Sequence, residues 1–588
     1  MKFRTIRKWD SVEKSENLLF FAQLLDELLF DYSLDTYKPS AMNTSLLCNE
    51  ALVVINEIER GNIKKQNIQY VLDELCENLS KDKIAQKLLT IEMDIVLNTL
   101  KNKKIRIQEK KSLVEILQNQ IGIFEYKQKN EELLISSIIK EDENFSEIRH
   151  LARNYITTLI NVGYSSNFTY KIVQNFFYYK NNRISGNEAI SDFLDYFKDE
   201  SDDFCVIYRA SVLCKKISDS FNKLDIDVID NIDETGIDIS KFNFLLRENE
   251  IYLVVKKIKA YDIFSAKYNA DSYVEIFSKL YNLFCHKEGI DVLRDCLIVN
   301  ITKNQIYKSG LSVNTMHKCI DLLPPMASEK FNIFIKNFSL NESSFKIFTK
   351  CSELHALALA SESQENQMIN LWIALESIIP AKAEDDEKST ILHITQSITP
   401  FLNIIYLDRL VTRLCKDIIK FKANFYNSNI NKIEGDKNSV KLIKFMCLDE
   451  YKKSRELFNQ EIGYYHLLRD RFAYFCKIFE DPKNVIKLLH NHNKRIEWQI
   501  VRIYRARNLI VHSGKMPSFT KILIENTHDY LDTILNRIIN LASTPKIIDS
   551  IDQGFKYTEL SYISYNNWLN TKDLQFDENN IYRLVFNI

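Results

Sequence analysis

Arg507, Asn508 and His512 stand close together in the stretch Lys494–Pro517, KRIEWQIVRIYRARNLIVHSGKMP. A guanidinium is a forked, permanently charged donor for phosphate oxygens. An imidazole takes or gives a proton near neutral pH. Arginine, amide and imidazole together suit phosphate chemistry without a metal. Arg502 and Arg505 add further charge to the same stretch.

Spacing decides how these groups face. Apolar Ile496, Ile500, Ile503, Leu509 and Ile510 recur close to a helical period. Gly514, then Pro517, stops the helix near His512 and Ser513. Asn508 and His512 are four apart and share a face. Arg507 and His512 are five apart and diverge by roughly 140° around the axis. A place in the last turn favours the imidazolium form of His512. Composition alone would produce about one Arg-to-His pair at such a spacing. The local sequence therefore also fits an amphipathic helix with a solvated basic face and a capping His512.

Arg507-Asn508-Leu509-Ile510-Val511-His512 resembles the RNxxxH motif of the HEPN superfamily, helical domains that often act as metal-independent ribonucleases. Upstream, Asn370-Leu371-Trp372-Ile373-Ala374-Leu375-Glu376 resembles the lWxALE helix of the ApeA-like HEPN branch, which occurs in prokaryotic anti-phage systems. The resemblance covers Ser343 to Ser543, with the ALE helix first and the RNxxxH helix near the C-terminus.

The resemblance implies a symmetric homodimer in which two motif helices meet, so that Arg507 of one chain complements His512 of the other. It implies RNA cleavage by attack of the adjacent 2′-hydroxyl, leaving a 2′,3′-cyclic phosphate and a 5′-hydroxyl. Arg507, Asn508 and His512 are then the catalytic set. His512 acts as general acid or base, Arg507 stabilises charge on the phosphorane-like transition state, and Asn508 orients His512 or the phosphate. Glu376, Tyr504 and Arg505 support them. Glu376 either orients Arg507 or His512 by a charge-assisted contact or pairs with a surface lysine. Tyr504 stacks on a base or simply packs.

The implied protein is an endoribonuclease, a toxin-like effector of abortive infection that answers a phage-derived trigger or partner protein. One alternative is a non-catalytic HEPN module that binds nucleotide or dimerises a larger helical assembly. Another is a helical adaptor with no nucleic-acid role.

The rest of the chain limits these readings. At 588 residues it holds two to four domains with ample core. Its 78 basic residues balance 79 acidic ones, for a net charge of −1. That argues against a chain-wide nucleic-acid coat, so any RNA contact is a local patch. Eleven cysteines without a CxxC, and an N-terminus lacking the apolar core of a secretory signal, predict reduced, buried thiols in the cytoplasm. Cys285-His286 and His317-x-Cys319 lack the usual zinc spacings, and no metal or other cofactor is expected. No apolar run reaches the length of a membrane span. No Gly-rich phosphate loop appears.

Gly (11) and Pro (8) are scarce, and no proline falls between Pro39 and Pro324, which predicts long helices and a mostly α protein. The expected order is a helical N-terminal region over 1–240 that senses or regulates, and a mixed or helical middle over 241–342. A HEPN-like helical bundle over 343–545 and a tail over 546–588 follow. Periodicity predicts helices over 15–38, 42–61, 65–80, 82–102, 111–140, 144–162 and 166–181 in the first half. In the second half it predicts them over 343–361, 364–379, 390–428, 440–480 and 516–542, the last packing on the motif helix. Residues 250–263 and 296–301 read as short strands or buried helices. The acidic Asp225–Ser240 stretch is the first boundary candidate and Leu323-Pro324-Pro325 the next. Tyr557–Tyr565 is aromatic and β-favouring, suited to capping the domain or meeting a second chain. The basic run Lys101–Lys111 is a solvated face or an RNA or partner contact.

Overall fold

The computed structural model describes residues 1–29, 42–140, 144–179, 183–222, 225–310, 315–316, 322–382, 389–517, 519–543 and 546–585. Helices make up 67% of it, in line with the mostly α expectation. To this the fold adds a five-stranded antiparallel sheet. The chain forms two units. One comprises Met1–Asn154, Ser185–Asn187 and Asn314–Ile588; the other comprises Tyr155–Ile184 and Glu188–Val313.

The first unit opens with α1 (Glu16–Leu28), α2 (Thr44–Glu59), α3 (Ile68–Leu79), α4 (Lys83–Leu88), α5 (Met93–Lys101), α6 (Ile107–Gln120) and α7 (Ile123–Ile139). Short polar side chains fix several starts. Asn43 accepts from the Leu46 N–H, and Asp82 accepts from those of Ile84 and Ala85. The single helices expected over 82–102 and 111–140 each break in two. The part of 15–38 beyond Leu29 lies outside the described residues. The basic run is in part tied down, while Lys101, Lys103 and Lys104 are exposed. Lys110 is buried and donates to the Leu100 carbonyl at 2.7 Å, Lys111 pairs with Glu59 at 2.9 Å, and Arg106 pairs with Glu109.

The unit boundary falls within α8 (Phe145–Val162). The second unit continues through α9 (Ser166–Gln174), α10 (Ala189–Leu194), β1 (Asp202–Ser211), α11 (Ser218–Asn222), β2 (Ile226–Ile229), β3 (Glu250–Ala260), α12 (Ile263–Tyr281), β4 (Val292–Asn300) and β5 (Gln305–Ser309). Strand order is β2-β3-β1-β4-β5. Alternate side chains build two cores. Val206, Tyr208, Leu253 and Ile298 face the side on which α12 places Ala266 and Ala270. Cys205, Ile207, Val254 and Leu297 face the other, with Phe244. A bulge where Lys257 takes φ +56° lets Ile258 and Val255 keep their partners Phe204 and Val206.

The first unit resumes with α13 (Pro324–Asn337), α14 (Glu342–Ala360), α15 (Gln364–Ile378), α16 (Thr390–Ile404), α17 (Tyr406–Phe425), α18 (Asn438–Cys447), α19 (Lys452–Ile462) and α20 (His466–Phe479). It ends with α21 (Pro482–Ser513), α22 (Thr520–Leu541) and α23 (Ile551–Leu569). Its core takes Trp372 and Leu375 from α15, Ile500 and Ile503 from α21 and Leu531 and Ile534 from α22. Phe331, Ile333 and Ile335 of α13 and Phe345 of α14 stand exposed.

Three expected boundaries change. Residues 1–240 are not one separate region, because the N-terminal helices share a unit with α13 to α23. The acidic Asp225–Ser240 stretch lies inside the second unit, where β2 pairs with β3. Leu323-Pro324-Pro325 starts α13, with proline in the first turn, and the change of unit falls ten residues earlier, between Val313 and Asn314. The tail is no appendage and its aromatic stretch is no strand. Ile548, Ile551 and Phe555 join the core, and Phe555 meets Phe401 with ring centroids 4.7 Å apart.

Candidate active site at the end of the motif helix

The helix that carries the motif is longer than its apolar period suggests. It runs 32 residues, Pro482–Ser513, or roughly 48 Å. Asp481 caps its start by accepting from the Lys483 N–H at 2.8 Å, and Pro482 holds the first position. It stops at Gly514, whose φ of +62° suits a residue without a side chain. There the Gly514 N–H donates to the Ile510 carbonyl and the Lys515 N–H to that of Leu509.

Two of the three arginines point inward. Arg502 is fully buried. Its Nε donates to both Glu50 oxygens at 3.1 and 3.0 Å, its Nη2 donates to Glu50 at 2.9 Å and to Glu74 at 2.5 Å, and its Nη1 donates to Gln499 at 3.1 Å. Arg505, also buried, donates to the same Glu50. Two guanidiniums and two carboxylates therefore lock α21 onto α2 and α3. Burial alone would raise the Glu50 carboxyl, but the Arg502 and Arg505 charges override it and hold it at about 2. Burial pushes Glu74 up, with Arg502 opposing. Arg505 was a candidate supporting residue for phosphate; its charge is instead committed to the interior.

The motif residues lie beyond this lock. Arg507 is half-buried and Asn508 nearly buried, and the Arg507 Nη1 donates to the Asn508 Oδ1 at 3.0 Å. His512, one turn on, is exposed and makes no hydrogen bond to either among the described residues. The 140° divergence read from the spacing thus persists within one chain. Tyr504 is half-buried against the fully buried Trp372, with ring centroids 5.7 Å apart, so it packs as part of the wall. Glu376 is exposed and forms no ion pair among the described residues. The N-terminal half also reaches this end of the helix. Glu57, near the end of α2, accepts from Asn62 and Arg60 at 2.7 Å each. Those bonds, with the Lys515 charge contributing, lower its carboxyl.

One cluster escaped the sequence reading. His355 on α14 meets His528 and Asp532 on α22, with the two imidazole Nε2 atoms 2.8 Å apart. His528 and Asp532 are four apart on one helix, a spacing open to inspection. His355 lies 173 residues away and needs the fold to join them. Of the two pairs weighed earlier as zinc ligands, Cys285-His286 belongs to no such cluster, and His317 and Cys319 lie outside the described residues. Cys48, Cys76, Cys205, Cys214, Cys296, Cys351 and Cys415 are free and buried, and burial raises each thiol's pKa. Among the described residues no helix is long and apolar enough to cross a membrane.

No protein-family model matches the chain, and neither curated proteins nor solved structures show a significant match to it.

Proposed function

We propose that this chain is a HEPN-type endoribonuclease that cleaves RNA without a metal, acting in the cytoplasm as a toxin-like effector of prokaryotic anti-phage defence. The observation that carries the reading is the arrangement at the end of α21. The Arg507 fork is held by Asn508 at 3.0 Å, and the His512 ring is open to solvent one turn further on. Both groups stand on a helix anchored by buried ion pairs, which limits the motion of a phosphate-binding fork.

In this reading a 2′-hydroxyl of RNA attacks the adjacent phosphorus, and the bond to the 5′-oxygen breaks. His512 takes the hydroxyl proton or returns one to the leaving oxygen. Arg507 neutralises charge on the equatorial oxygens, and Asn508 fixes the plane of the Arg507 fork. Because Arg507 and His512 diverge on one helix, the site is completed by a second copy, with Arg507 of one chain opposite His512 of the other. The exposed apolar residues of α13 and α14 support association, since such surfaces are usually covered.

The divergence also favours a second reading, in which the end of α21 binds nucleotide or joins a larger assembly without cleaving. Purified protein incubated with RNA in EDTA separates the two. Fragments ending in 2′,3′-cyclic phosphate are expected; intact RNA across protein concentrations that permit dimerisation supports the second reading.

A further inference from the structure

His355 and His528 turn their Nε2 atoms toward each other at 2.8 Å, with ring centroids 4.9 Å apart. Asp532 places Oδ1 3.6 Å from the His355 Nε2 and Oδ2 3.6 Å from the His528 Nε2, longer than a hydrogen bond in each case. Three donors thus converge on one point from two helices. A tetrahedral ion bound at about 2.0–2.2 Å needs donor–donor edges of roughly 3.3–3.6 Å. Asp532 meets the two rings through different oxygens, and taking one donor atom from each residue the three lie within 4.8 Å of one another. Binding therefore opens the imidazole–imidazole edge by about half an ångström and turns one Asp532 oxygen toward both nitrogens.

We propose that His355, His528 and Asp532 are the protein ligands of a site for a Zn²⁺-class divalent ion that ties α14 to α22. Two imidazoles and one carboxylate are the donor set that such ions prefer over magnesium or calcium. The side chains are 25%, 7% and 30% exposed, so the site is held by the fold but open on one side. That leaves a fourth position for water, as three-ligand sites do. Pairing of His528 with Asp532 at four residues' spacing presents both from one helical face. The competing account is a proton shared between the two rings, which needs no ion.

The test uses the full-length chain, stripped with chelator and titrated with Zn²⁺ and, separately, Co²⁺. One ion per chain is expected. So is a rise of several degrees in melting temperature at a hundredfold excess over Kd. The Co²⁺ form should show visible d–d bands without the near-ultraviolet thiolate-to-cobalt charge transfer that its cysteines would give. His528→Ala and His355→Gln, the latter at the more accessible ring, should each lower affinity at least tenfold and abolish the thermal shift. If His528→Ala proves unstable, His355→Gln alone decides. Unchanged binding in His355→Gln, a thiolate band, or no binding to the wild-type chain overturns the site in favour of a shared proton. None of these readouts uses RNA, so loss of the ribonuclease reading and loss of the metal site are separate outcomes.

Discussion

Replacing His512 with Ala should lower RNA cleavage by about 10²–10⁴-fold, the usual cost of removing a general acid or base. Its melting temperature should barely move. The ring is exposed, so truncation opens no cavity, and an exposed side chain at a helix end contributes only about 0.3–1 kcal/mol. Cleavage rate and melting curve on one preparation test both halves; a wild-type rate would remove the assignment. Arg507→Lys should recover only part of what Arg507→Ala loses, because a single ammonium cannot replace the fork. Glu50→Gln is the opposite case. It leaves the buried Arg502 and Arg505 short of a carboxylate, and a broken buried pair costs about 3–5 kcal/mol. Urea midpoints should show that loss. What was legible at this scale was residue type. Arg507, Asn508 and His512 were named as candidates from the RNxxxH resemblance, spacing alone being no more than composition would give, and nothing local told Arg505 from Arg507. The difference is a carboxylate on α2, some 455 positions away in the chain.

The helices were legible where they have one buried face. The apolar period and Gly514 place the end of α21 correctly, whereas Asp481-Pro482, a cap followed by proline, marks a start that periodicity alone missed. Gly514→Ala should cost about 1 kcal/mol. A Cβ there would meet nothing within 4 Å, so the cost is backbone strain at φ +62°, read as a small drop in urea midpoint. The strands were harder. β3 and β4 bury both faces, so their apolar runs hide the alternation that distinguishes strand from helix. The tail shows the reverse error. Aromatic residues favour strands locally, but Ile551, Phe555, Thr558, Tyr565 and Leu569 fall at helical intervals and pack as a helix.

At the scale of the molecule, a fragment spanning only 343–545 should fail to reach a native state. It would lack Glu50 and Glu74 for Arg502, and the Tyr70 ring that packs against its core. Near-ultraviolet circular dichroism of that fragment is expected to be featureless; a native-like spectrum would show that the N-terminal helices are dispensable. Stability should also fall in stages with pH. Burial, then the Arg469 charge, lowers His466 to about 4, and burial takes His492 well below its usual value. Both are neutral in the fold and accept protons more readily unfolded. Their contribution is therefore complete above about pH 6.5 and is lost as pH falls toward 4. Glu50, held at about 2, adds a second loss below about pH 4.5, and Glu74, shifted upward, offsets part of it. Urea midpoints should be flat from pH 8 to 7 and decline from 6.5 downward; a midpoint that rises between pH 7 and 5 would contradict this.

The lock between α21 and α2 also sets an order of events during synthesis. Glu50 and Arg502 are 452 residues apart. At about 5–20 residues per second, the carboxylate leaves the ribosome roughly 20–90 s before its guanidinium exists. The second unit, almost continuous in sequence, is complete long before then. The N-terminal helices must wait with an acidic pair they cannot yet bury. The helix that relieves them also carries Arg507, Asn508 and His512. A truncated nascent chain therefore lacks both its lock and its candidate chemistry, and the two arrive together.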